Sequence, residues 1–135
     1  MKKMAIFTFC VFSFIGIIFI SCVESETEDM CTYTEVGGII SVTGSSIGEV
    51  NETINLEVKF GVGNGCGQFN KFIETGFVGN EKIIKVETIY IGCVCTHDAP
   101  IRTVNYEFET STNGVYNLKF KKSLGGYIIH EITIN

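Results

Sequence analysis

Between positions 54 and 60, apolar and polar residues alternate without a break: Ile54, Leu56, Val58 and Phe60 against Asn55, Glu57 and Lys59. The pattern returns three times. Val104, Tyr106 and Phe108 alternate with Asn105, Glu107 and Glu109, and Tyr116, Leu118 and Phe120 with Asn117, Lys119 and Lys121. Ile128, His130, Ile132 and Ile134 alternate with Ile129, Glu131 and Thr133. Successive side chains of an extended strand point to opposite faces, so each run builds a sheet with one dry face and one wet face. A helix cannot hold such a run, because its neighbours on one face lie three or four residues apart. Segments 33–42, 68–77 and 82–91 read as three further strands, and no segment has helical spacing. The expectation is an all-β domain of seven strands.

The reversals fit. Asn113-Gly114 separates two alternating runs, Leu124-Gly125-Gly126 marks the next reversal and Gly79-Asn80 an earlier one. Pro100 stands just before a strand, where its missing N–H is least costly. Seven short strands in about 100 residues predict an antiparallel immunoglobulin-like sandwich of two sheets, with a Greek-key barrel as the alternative. The run 103–120, T-V-N-Y-E-F-E-T-S-T-N-G-V-Y-N-L-K-F, resembles the closing hairpin of bacterial Ig-like modules. Tryptophan is absent, so the Cys…Trp…Cys signature of antibody domains is not part of that resemblance.

Ahead of the β region, Lys2 and Lys3 precede an apolar run from Met4 to Ile20, which ends in Phe19-Ile20-Ser21-Cys22. Basic start, apolar middle and small residue before a cleavage point are the layout of a secretory signal. A span needs about 20 apolar residues and this run is shorter, so an uncleaved anchor is the lesser reading. F-I-S-C resembles the lipobox of Gram-negative lipoproteins. The resemblance implies removal of residues 1–21, lipidation of Cys22, and an outer-membrane protein facing the periplasm or the cell surface. One acyl chain holds a protein only marginally, whereas the diacylglycerol and amide-linked chain so implied would anchor it durably. Residues 22–30 would be the lipidated cysteine and its tether, and 31–135 the domain. Glu24, Glu26, Glu28 and Asp29 resemble the acidic tethers that send some lipoproteins to the surface.

Residues 22–135 carry eight Lys and Arg against fifteen Asp and Glu, a net charge of −7. Nucleic-acid binding needs a basic footprint and anionic lipid attracts basic segments, so neither is an expected partner. The membrane would be reached through lipid, with an envelope protein or surface ligand as possible partner.

Beyond Cys10 and Cys22, four cysteines remain: Cys31, Cys66, Cys93 and Cys95. In an exported domain they read as a disulfide framework with three connectivities. A Cys93–Cys95 bridge is disfavoured, because residues two apart on a strand lie roughly 6.6 Å apart with parallel Cβ vectors. Cys31 and Cys66 should therefore partner Cys93 and Cys95, one each, in either assignment. The alternative is a thiolate–imidazole metal site built from Cys66, Cys93, Cys95 and His97.

Other motifs are weaker. Gly44-Ser45-Ser46-Ile47-Gly48 matches a nucleophile elbow, and Ser46, Asp98 and His130 follow in hydrolase order. The elbow needs a strand, a turn and a helix, but here a strand follows. The glycines of G-V-G-N-G-C-G (61–67) lack the Gly-Lys-Ser/Thr of a phosphate loop and should let the backbone turn closely around Cys66. His130 shares an apolar face and reads as a hydrogen-bonded core or edge histidine. The expected function is a non-enzymatic, cofactor-free binding or assembly module using loops 61–68 and 96–101. A periplasmic protease inhibitor is the other alternative.

Overall fold

The computed structural model describes residues 31–135. The signal segment, Cys22 and the acidic tether lie outside the described residues. Among those described there are eight strands and no helix: β1 (Thr32–Gly44), β2 (Ile47–Gly48), β3 (Ile54–Gly61), β4 (Gly67–Glu74), β5 (Glu81–Ile91), β6 (Ile101–Phe108), β7 (Gly114–Lys121) and β8 (Tyr127–Ile134). The four alternating runs are β3, β6, β7 and β8. The three less regular segments are β1, β4 and β5. The eighth strand, β2, is a two-residue edge that periodicity has no means of registering. Ser45 Oγ bends the chain there by donating to Ile47 O at 2.7 Å, and Thr133 N–H donates to Ser46 O at 2.9 Å. β4 is shorter than expected. Its chain leaves the sheet after Glu74, and Phe77 packs on Phe108 and Tyr116 instead.

The strands form one sheet, ordered β2-β8-β7-β5-β1-β3-β6 with β4 added on β5, which curls into a half-barrel. β5 is its organising strand. One edge pairs with β4, while the other is shared, Glu81–Ile84 with β7 and 86–91 with β1. β1 then crosses between halves: residues 32–37 pair with β5, and from Gly38 onward it pairs with β3. A register slip between Ile39 and Ser41 adds the local bend that this crossing needs.

The sheet is mixed, which corrects the wholly antiparallel expectation: β5–β7 and β2–β8 are parallel. A parallel pair needs a long crossover connection. Here β6, lying in the other half beside β3, supplies the one between β5 and β7. Alternation reports which face a residue takes but carries no information on strand direction.

The inward residues of both halves make one core. Leu56, Val58, Phe60, Val86, Tyr90, Leu118, Phe120 and Ile132 are fully buried. Each large apolar side chain buried this way contributes about 1.5–3 kcal/mol relative to exposure. Aromatic rings tie the halves together, Phe72 to Tyr106 at 5.0 Å and Tyr106 to Phe120 at 5.5 Å, both edge to face.

Candidate functional site

β1 and β4 are antiparallel neighbours of β5, so both begin where β5 ends, with Thr32 opposite Ile91 and Gly67 opposite Tyr90. Each carries a cysteine immediately before its first residue, and β5 is followed by two more. The four thiols are thereby delivered to one end of the sheet. Cys31 is bonded to Cys93 and Cys66 to Cys95, with Cα separations of 4.9 and 5.5 Å. Gly92 N–H donates to Cys31 O at 3.0 Å and closes the corner.

These bonds bear directly on the metal alternative. Cys66, Cys93 and Cys95 each spend their sulfur in a bridge, so no thiolate remains among them for a cation. His97 lies exposed beyond Cys95.

The glycine-rich loop 61–68 and the loop 96–101 form this end together. Val62 N–H donates to Pro100 O at 3.2 Å and Gly65 N–H to Thr96 O at 3.1 Å. A Cβ on Gly65 would stand 1.9 Å from Thr96 Oγ1, so a side chain at this position would require the threonine hydroxyl to turn away. Arg102, the chain's single arginine, enters from the start of β6. It donates from Nε to Gly67 O and from Nη2 to Gly65 O, both at 3.1 Å. The planar guanidinium spans two carbonyls at once, gripping the loop on both sides of Cys66.

Beneath the loops lies a tyrosine pair. Tyr90 is fully buried and Tyr33 stacks on it, centroids 4.6 Å apart and rings 4° from parallel. The Tyr90 hydroxyl donates to Glu35 Oε1 and accepts from Gly63 N–H at 2.8 Å. Burial raises the Tyr90 hydroxyl above its ordinary pKa, and the bond to the Glu35 carboxylate acts in the same direction. Asn64 faces both ways: its Oδ1 accepts from Cys66 N–H at 3.0 Å, and its Nδ2 stands 3.5 Å from Tyr33 Oη.

A cleft of about 430 Å³ opens on this end, lined by Tyr33, Asn64, Val94, His97, Gly92 and the bridged Cys31, Cys93 and Cys95. That volume falls within the range of small-ligand sites. The loops singled out in the sequence supply part of it, through Asn64 and His97. Tyr33, the Tyr90–Glu35 support and the Arg102 clamp were not anticipated. The one available hint for Arg102 was that it is the chain's sole arginine and directly follows the loop 96–101.

The hydrolase-ordered residues are not brought together. Asp98 belongs to the disulfide end, where it lies near Gly65. Ser46 and His130 sit on the β2–β8 edge, where His130 Nε2 lies 3.1 Å from Ser45 O. His130 is therefore a hydrogen-bonded edge histidine.

Compared with protein-family models, curated proteins and solved structures, the chain matches none.

Proposed function

We propose that this chain is a non-enzymatic, lipid-anchored cell-envelope protein that binds its ligand at the disulfide-braced end. In this reading Cys22 carries the lipid, the outer membrane holds it, and the domain faces the periplasm or the cell surface. The observation that carries the binding role is the construction of that end. Two irregular loops are joined by Cys66–Cys95, two backbone hydrogen bonds and the Arg102 fork into a rigid rim around an open cleft. Rigid loops lose little freedom on binding, so more of the contact energy appears as affinity.

An Ig-like classification belongs to the same proposal. Its support lies at the β6–β7 corner, where the Tyr116 hydroxyl donates to Thr112 O at 3.0 Å. A tyrosine near the start of a strand bonding back across the preceding corner is a hallmark of that sandwich. The parallel β5–β7 pair departs from it.

The test is a pull-down from envelope membranes with the intact lipidated protein and with Val94→Glu, which places a charge at the mouth of the cleft. A partner retained by the wild type and lost by the variant supports the reading. Equal capture by both, or a mature chain starting elsewhere than Cys22 and free in the medium, overturns it.

A further inference from the structure

We infer that the cleft of the disulfide end is a subsite for an uncharged sugar ring, stacked on the free face of Tyr33. This rests on the binding role proposed above and adds the chemical class of the ligand.

Four observations converge. First, Tyr33 is a prepared platform. One face of its ring lies against buried Tyr90, yet the residue stays 50 % exposed and lines the cleft. Tyr90 is pinned by Gly63 and Glu35, so the platform is braced from below. A ring ordered before the ligand arrives offers a large contact area at low entropic cost.

Second, the remaining lining is made of small or apolar residues: Cys31, Cys93 and Cys95 of the two bridges, Gly92, and Val94, which is 94 % exposed. Such a surface suits the C–H face of a pyranose. Third, among the described residues no Asp, Glu, Lys or Arg lines the cleft, so none of them would replace the hydration that a charged ligand loses there.

Fourth, the polar groups at the cleft are the Tyr33 hydroxyl, the Asn64 carboxamide and the His97 imidazole. Each type both donates and accepts hydrogen bonds, as sugar hydroxyls do. Asn64 is already oriented, because its Oδ1 is committed to Cys66 N–H and its Nδ2 is turned toward Tyr33 Oη. Two backbone donors of this end are closed to an added extended peptide. Gly92 N–H is committed to Cys31 O and Gly65 N–H to Thr96 O, so neither is available to start a ladder with an added strand.

Saturation-transfer NMR on the purified mature protein tests this, using neutral oligosaccharides of glucose (α- and β-linked), mannose and N-acetylglucosamine. Transfer to the ring C–H protons of at least one series is expected at about 10 mM ligand or below. Tyr33→Ala should weaken binding roughly tenfold or more, His97→Ala about threefold, and Tyr33→Phe less than Tyr33→Ala. His97→Ala alters an exposed side chain and keeps the test sound if Tyr33→Ala fails to fold. No transfer from any series, transfer unchanged in both alanine variants, or displacement of the sugars' role by an aromatic peptide overturns the inference. If every sugar fails while Val94→Glu still removes a partner from the envelope pull-down, the binding end stands and the sugar subsite falls.

Discussion

Gly38 lies so close to Ser123 that a Cβ on the glycine would stand 2.2 Å from the serine Cβ. Gly38 is where β1 leaves β5 for β3, and Ser123 is in the turn between β7 and β8. The turn thus fills the corner opened when β1 and β7 divide one edge of β5 between them. Gly38→Ala should destabilise the domain by about 1–3 kcal/mol through overpacking, with the urea midpoint falling at an unchanged slope. Ser123→Gly in the same chain should restore part of the loss. A neutral Gly38→Ala would mean that the turn does not seat there.

The bridges close loops of different length, 62 residues apart for Cys31–Cys93 and 29 for Cys66–Cys95. Replacing either pair by alanine should cost about 2–4 kcal/mol, and the longer loop roughly 0.7 kcal/mol more on the chain-entropy account. Intact mass after alkylation of the unreduced protein should find none of these four thiols reactive. Four alkylated thiols would return Cys66, Cys93, Cys95 and His97 to consideration as metal ligands.

Arg102 holds two carbonyls of the glycine-rich loop through two separate nitrogens. Arg102→Lys keeps the charge but not the fork, so it should behave much like Arg102→Ala, each costing about 1–3 kcal/mol. The amides of 61–68 should exchange faster in both variants, while those of β7 and β8 change far less. Full protection of the loop in Arg102→Lys would reduce the contact to charge alone.

Two buried tyrosines give the stability an alkaline limit. Burial raises the hydroxyl of Tyr90, and raises that of Tyr106 further, with the charge of Glu74 adding at Tyr106. Below the ordinary tyrosine pKa of 10.0, folded and unfolded chains both keep these protons, so the contribution is fully present. Above it the unfolded chain releases protons that the folded chain retains, and stability falls as pH rises. Tyr116 is shifted the other way by its bonds to Thr110 and Thr112 and opposes part of this trend. The urea midpoint should decline above about pH 10, and less steeply in Tyr106→Phe. Identical slopes for the two proteins would remove Tyr106 from the account.

Much of the fold was legible because alternation is a local property. Leu56, Tyr106, Leu118 and Ile132 point inward as their period-2 positions require, and the glycine and proline signals sit at the reversals. The absence of a Cys93–Cys95 bridge agrees with the sequence reading, but the strand premise behind it does not hold, because β5 ends at Ile91 and both cysteines lie in the segment that follows. What alternation cannot carry is who pairs with whom. The parallel β5–β7 contact, the division of one β5 edge between two strands and the β1 crossing arise from distant segments meeting in three dimensions. The disulfide assignment waited on the same information, because only the position of β5 between β1 and β4 brings Cys31 to Cys93 and Cys66 to Cys95. Tyr33 and Tyr90 read as ordinary strand tyrosines until that pairing sets one ring on the other. Local chemistry decided which face each residue takes; long-range packing decided which faces meet, and the cleft exists only at that second level.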